Sequence, residues 1–347
     1  QLQEKAKNIT GLVYYDLACY QALQGKKKAA LKNFEKAFNS GWNDYNHAKG
    51  DSDIDNLRKE KKYLEVMAKM RLDSDYLYIL QQAEGYNRTE TKPICYNESV
   101  TDTLPRFTYM NPNDSNLVQL RNHFNLDSIA GSGDEISKIK NLLYWVHNIV
   151  PHDGNSRNPE ERNTIAMVEL CKKENRGVNC RMMAQMLNEC YLAMGFKSRF
   201  ITCMPKVMIN DCHVINAVYS NTLNKWLWMD PTFNAYVTDE KGNLLGIGEV
   251  RERLRNNQPV VLNEDANWNN KNKQTKEYYL DYYMAKNLYY VTCPLQSEYN
   301  AETNYPGKKW PMYISLVPEG YSTNGKPGAT AYDSHNDSYF WQSPYQE

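Results

Sequence analysis

Apolar residues in the middle of the chain recur first at helical spacing and then at strand spacing. Ile136, Ile139, Leu142, Leu143, Val146 and Val150 mark one face of a helix that Asp134 caps and Pro151 stops. Met182, Met183, Met186, Leu187, Cys190, Tyr191 and Met194 mark a second, buried amphipathic helix that opens at Cys180 and stops at Gly195. The pattern then shortens. Residues 200–203 and 213–219 read as strands separated by Pro205, and a polar turn over 220–224 leads into a third strand, 225–229, ended by Asp230-Pro231. A short helix is expected from Glu249 to Leu254.

The N-terminal region is helical by the same criterion. Tyr14 to Tyr20, Gly25, Ala29-Ala30, Phe34 to Phe38 and Gly41-Trp42 have the spacing of a helix, a tight turn and a second helix, a pattern similar to a tetratricopeptide repeat. A third helix is expected from Ile54 through Met70. So short an array does not bury its own apolar faces, which predicts either further repeats upstream or a cap on the rest of the chain, and offers a surface for a protein partner.

Residues 73–133 carry no sustained period. Residues 77–83 look helical, then Pro93, Pro105 and Pro112 limit regular structure, so the stretch reads as a partly extended connector that wraps the core. Beyond residue 275, the pairs Tyr278-Tyr279, Tyr282-Tyr283 and Tyr289-Tyr290, the run Trp310 to Leu316, and Phe340-Trp341 read as further strands.

Three residues stand where chemistry is expected. Cys180 sits at a predicted helix N-terminus, where the helix dipole and a nearby imidazolium favour the thiolate that attacks carbonyl carbon. His213 opens one strand and Asp230 ends the next, so the two lie side by side across a hairpin and supply a base and an orienting carboxylate. The first oxyanion donor expected is the backbone N–H of Cys180, and the second is unassigned. His152, just past a helix end, and His147 and Trp145 within it are candidates to approach the cleft, with a structural role expected for both histidines.

These residues resemble the transglutaminase-like superfamily, relatives of the papain-type thiol enzymes, over roughly residues 134 to 250. The resemblance rests on Gly177-Val-Asn-Cys180, the helix exit Gly195-Phe-Lys-Ser-Arg199, the strand opening at His213 with Asn216 preceded by Ile215, and Trp226-Leu-Trp-Met-Asp230-Pro-Thr232. It implies Cys180 as nucleophile, His213 as general acid and base, and Asp230 as the residue that orients His213. It also implies an α+β fold: a nucleophile-bearing helix packed on an antiparallel sheet, preceded by the helical-repeat-like segment. The expected domains are a helical cap over 1–72, the connector over 73–133, and a catalytic domain with a C-terminal β extension over 134–347.

Composition narrows the function further. Charge balances at 41 basic and 41 acidic residues, evenly mixed, so there is no electrostatic footprint for nucleic acid. No apolar run is long enough to predict a transmembrane helix. The chain opens on Gln1 rather than Met, so its natural start is expected upstream, compatible with a removed secretory or lipoprotein leader; localisation stays open. Cys171, Cys180, Cys190, Cys203, Cys212 and His213 fall close together, yet no Cys-x-x-Cys pair exists and adjacent Cys212 and His213 project to opposite sides of a strand, so no metal and no cofactor are expected. The 27 tyrosines read as half-exposed strand residues, with an aromatic groove for peptide or polymer as the alternative.

The expected function is cysteine-dependent acyl transfer on peptide or isopeptide carboxamides through a thioester. Hydrolysis is expected over cross-linking, because no calcium-loop pattern is visible. The alternative is a non-catalytic module that keeps the core and holds a protein or peptide partner. Thiol reactivity separates the two.

Overall fold

The computed structural model describes residues 2–82, 96–97, 104–206, 212–326 and 330–344. The chain divides into two compact units, Gln1–Pro93 and Ile94–Glu347.

In the first unit, α1 (Leu2–Leu23) and α2 (Lys27–Asn39) pack on each other through small side chains. Ala18, Ala22, Ala30 and Ala37 are fully buried, and Gly25 turns the chain with φ +74°, a region that favours glycine. Gly11 is needed for close approach, because a Cβ there would stand 2.6 Å from the backbone nitrogen of Trp42. Trp42 stacks on Tyr15, ring centroids 3.7 Å apart. The third helix expected from Ile54 to Met70 is instead two elements. A 3-10 turn over Ser52–Leu57 buries Ile54 and Leu57, and after a break come α3 (Lys61–Ser74) and α4 (Tyr76–Gln82). The single helix fails at residues 58–60, where Glu60 is extended (φ −76°, ψ 132°) ahead of α3.

The second unit is built on a six-stranded sheet. Its strands are β1 (Ser198–Met204), β2 (His213–Ser220), β3 (Lys225–Met229), β4 (Tyr290–Pro294), β5 (Tyr313–Leu316) and β6 (Tyr332–Ser334). They lie in the order β6-β5-β4-β1-β2-β3, antiparallel except for the parallel β5–β6 pair. β1 and β2 are buried throughout, as a central pair covered on both faces must be. Four further helices cover the core: α5 (Ser115–Phe124), α6 (Glu135–Ile149), α7 (Thr164–Glu174) and α8 (Cys180–Ala193). From Met182 to Ala193, every residue of α8 is buried, so it is an interior helix and not an amphipathic one. Its polar side chains are accordingly all committed. Glu189 accepts from the backbone N–H and hydroxyl of Thr164 at 2.7 and 2.6 Å and from the N–H of Asn300 at 2.7 Å, while burial raises its carboxyl to about 7.

Three expectations about this unit are corrected. Residues 115–130, read as partly extended connector, are helical: Asp114 caps α5, Leu117 and Leu120 are fully buried, and a short helix follows over Leu126–Ala130. The pairs Tyr278-Tyr279 and Tyr282-Tyr283 lie in a π-helix, Glu277–Met284, not in a strand. Phe340 ends a short helix, Asp337–Phe340, rather than a strand. In the last two cases aromatic β-propensity was outweighed by tertiary packing, which buries Tyr279, Leu280 and Met284 along one side of the π-helix and Phe340 under Arg199. Tyr290 and residues 313–316 are strand, as read.

Candidate active site

Cys180 is the first residue of α8, and Asn179 caps the helix by accepting from the N–H of Met182 at 3.2 Å. The approach to it is an extended segment held by backbone bonds to the chain just after α6. His152 and Val178 form a parallel bridge, with Val178 N–H donating to Pro151 O at 3.1 Å and Asp153 N–H to Val178 O at 2.8 Å. Gly177 makes that approach close, because a Cβ there would stand 2.4 Å from Pro151 O. Gly177→Ala is expected to part the two segments, costing about 1–3 kcal/mol and slowing Cys180 alkylation; an unchanged urea midpoint in the variant would contradict this.

Next in the chain, His213 opens β2, fully buried, and its Nε2 lies 2.7 Å from Asp230 Oδ2. The β2–β3 register pairs Asn216 with Met229, so Asp230, one residue beyond β3, lies diagonal to His213 and not directly opposite it. Asp230 is held by more than its histidine. Its Oδ1 accepts from Thr232 N–H at 2.8 Å, closing the Asp-Pro-Thr turn, and its Oδ2 accepts from Tyr279 O–H at 2.6 Å. Burial, reinforced by the Asp230 charge, keeps the Tyr279 phenol protonated and therefore a donor, and Trp228 Nε1–H donates to that phenol oxygen at 3.2 Å. Phe233 and Tyr283 flank the His213 ring at centroid distances of 5.5 and 5.2 Å.

The electrostatics follow from this packing. Burial pushes the Cys180 thiol up, but hydrogen bonds from His152 and His213 and the charge on His213 outweigh it and bring the thiol down to about 6. Burial likewise pushes His213 down, and the adjacent Asp230 carboxylate and its hydrogen bond override that, raising the imidazole to about 10. With Nε2 on Asp230, Nδ1 is the ring nitrogen left for sulfur. Both shifts favour a thiolate on Cys180 beside an imidazolium on His213. Cys180 remains partly exposed, so a substrate can reach it.

A second network anchors the first turn of α8. Arg181 donates to Glu302 at 2.6 Å and to Thr202 Oγ1 at 3.0 Å, and Gln185 donates to the other oxygen of Glu302 at 2.6 Å. Tyr313 also donates to Glu302. Glu302 thus ties α8 to β5, and Arg181 ties it to β1.

Cys180, His213 and Asp230 are brought together. His147 is not part of that group: its ring spans Pro231 O and Asn267 Oδ1, both at 3.0 Å, and braces the turn after Asp230. His152 lies beside the approach to Cys180, where its ring helps to lower the thiol, and its Nδ1 accepts from Trp268 Nε1–H at 2.9 Å. Tyr279, Tyr283, Phe233 and Trp268 were missed altogether. Tyr279, Leu280, Tyr283 and Met284 do repeat at helical spacing, a signal that the tyrosine content obscured. Among the described residues, no group of three or more His, Cys, Asp or Glu is placed to hold a metal ion, and no helix is long and apolar enough to cross a membrane.

Comparison with known proteins bears on the same region. No curated protein sequence matches the chain. A solved structure of a "putative cysteine protease" from Cytophaga hutchinsonii matches at 16% identity and a TM-score of 0.27, covering 42% of this chain and 46% of its own. The match thus spans less than half the length of that protein. The family model described as the transglutaminase-like superfamily matches residues 122–231, a span that holds Cys180, His213 and Asp230. Residues 122–231 of this chain are therefore a transglutaminase-like domain.

Proposed function

We propose that the chain is a cysteine-dependent acyl-transfer enzyme that acts on peptide or isopeptide carboxamides through a thioester on Cys180. The observation that carries this reading is the Asp230–His213 bond at 2.7 Å. It leaves one imidazole nitrogen free to serve the sulfur of a partly exposed Cys180 at a helix N-terminus. The Cys180 thiolate attacks the carboxamide carbon, His213 gives its proton to the departing amine, and the thioester is resolved by an acceptor. Asp230 orients His213 and stabilises its charged form. Water is the acceptor we expect, which makes the chain a peptidase or amidase.

The test is a digest of a denatured whole-cell protein extract with the parent and with Cys180→Ala, read by mapping new protein N-termini, alongside incorporation of dansylcadaverine into casein. New termini or released amides that require Cys180 are the expected result. Amine incorporation without cleavage would make the acceptor an amine. Neither activity, together with a thiol of ordinary reactivity, would leave a binding module and defeat the proposal.

A further inference from the structure

Two features of His152 bear on the same reaction. The first is its tautomer. Trp268 Nε1–H, which can only donate, bonds His152 Nδ1 at 2.9 Å, so Nδ1 must be an acceptor and the proton of the neutral ring is confined to Nε2. The second is its rigidity. Asn269 grips the His152 backbone from both sides, accepting its N–H at 2.7 Å and donating to its carbonyl at 2.9 Å. Asn269 and Asn270 adopt φ values of 53° and 55°, the left-handed region that asparagine tolerates, and this tight turn joins Asn267–Trp268 to Asn272–Lys273. The bridge between His152 and Val178 then sets His152 beside the approach to Cys180, near enough that its ring helps to lower the thiol. A hairpin remote in sequence therefore holds one N–H donor, of fixed tautomer, at the nucleophile.

We infer that His152 Nε2–H is the second oxyanion donor of this site, acting with the backbone N–H of Cys180, and that Trp268 is a positioning residue that holds His152 in the donor tautomer. The inference rests on the proposed acyl-transfer reading. In that reaction the thiolate forms a C–S bond, and the carbonyl π pair moves onto oxygen. The oxyanion then accepts from Cys180 N–H and from His152 Nε2–H. Collapse of the intermediate restores the carbonyl and expels the leaving group with its electron pair. As the first residue of α8, Cys180 has an N–H with no partner inside its helix. His152 carries no proton away at any step; it is a neutral donor waiting at the position where charge develops.

The experiment separates attack that makes an oxyanion from attack that does not. Alkylation of Cys180 by iodoacetamide displaces iodide at a saturated carbon and develops no oxyanion. Acylation by p-nitrophenyl acetate passes through one and needs no proton for its leaving group. Both rates are measured for the parent, His152→Ala, His152→Gln and Trp268→Phe, each on the alkaline plateau of its own pH profile, with the adduct on Cys180 identified by mass spectrometry. His152→Ala is expected to acylate about 10²–10³-fold more slowly while alkylating within about threefold of the parent. His152→Gln, which restores an N–H donor and is a second variant should alanine impair folding, is expected to recover part of the acylation rate. In Trp268→Phe, imidazole nitrogen NMR is expected to show the His152 proton shared between Nδ1 and Nε2, with an intermediate loss of acylation. Equal loss of acylation and alkylation in the His152 variants, or no loss of either, would overturn the assignment while leaving the Cys180–His213 pair intact. Slow alkylation of the parent with an ordinary thiol pH profile would instead remove the acyl-transfer reading itself, and the oxyanion assignment with it.

Discussion

Alkylation of Cys180 by iodoacetamide is expected to rise with a midpoint near pH 6, where hydrogen bonds from His152 and His213 and the His213 charge bring the thiol despite its burial. An unperturbed thiol has its midpoint near 8.5. The sign follows from which form the site stabilises: His213 donates to, and carries charge toward, the thiolate, so the sulfur loses its proton at lower pH. In His213→Ala the midpoint should move up by about two units or more, because the donor and the charge that oppose burial are lost. At pH 6 a thiol with a pKa of about 8 is ionised roughly fiftyfold less than one with a pKa of about 6. Part of that deficit is recovered because a more basic thiolate is intrinsically more nucleophilic, so the observed rate should fall by about five- to tenfold. Labelled sites read by mass spectrometry distinguish Cys180 from Cys212, which is also partly exposed. A parent midpoint near 8.5, unmoved by the histidine variant, would mean that the two side chains do not form a working pair.

The second large effect concerns stability. Arg199 is fully buried on β1 and sits among four rings, with its guanidinium carbon 4.2 Å from the centroid of Trp226, 4.4 Å from Phe107, 5.3 Å from Phe340 and 5.6 Å from Trp341. It also donates to Phe340 O at 2.9 Å. Three of those rings come from parts of the chain far from β1, so one cation joins the sheet to the segment around residue 107 and to the C-terminal helix. Arg199→Ala leaves a cavity the size of a long side chain and removes desolvated cation–π contacts, for an expected loss of about 3–5 kcal/mol. Arg199→Lys should recover only part of this, because an ammonium has no planar face to stack between rings. Urea unfolding followed by tryptophan fluorescence reads both variants, and an alanine variant within 1 kcal/mol of the parent would show that the rings close over the gap. In folded Arg199→Ala the Cys180 midpoint should be unchanged, since the cluster does not touch the Cys–His pair.

What the sequence determined by itself was the part of this protein governed by local pattern. The helix opening at Cys180, the strand opening at His213 and the stop at Asp230-Pro231 each announce themselves within a few residues, because periodicity, a cap or a proline marks them. That Asp230 would lie near His213 followed from the hairpin, a short-range element whose register the four-residue turn over 221–224 largely sets. The first two helices of the first unit were legible for the same reason.

Only tertiary structure decided what surrounds those residues. Tyr279 reaches Asp230 across 49 positions of sequence, and Trp268 reaches His152 across 116. No local pattern encodes either pairing. The tyrosine-rich segment has strand propensity, yet it is a π-helix, because winding it places Tyr279 on Asp230 and Tyr283 beside His213, and burial of those rings exceeds the small intrinsic preference. Residues 115–130 looked irregular for the complementary reason: prolines lie just upstream and Asn116, Asn122 and Asn125 interrupt the pattern, while Leu117, Leu120 and Leu126 supply a buried face that becomes evident only once other helices are there to cover it. Cys180, His213 and Asp230 were therefore visible in short-range pattern, whereas the shifts of the Cys180 thiol and the His213 imidazole, the tautomer of His152 and the hydrogen bond from Tyr279 to Asp230 arise from contacts that form only when distant segments fold together.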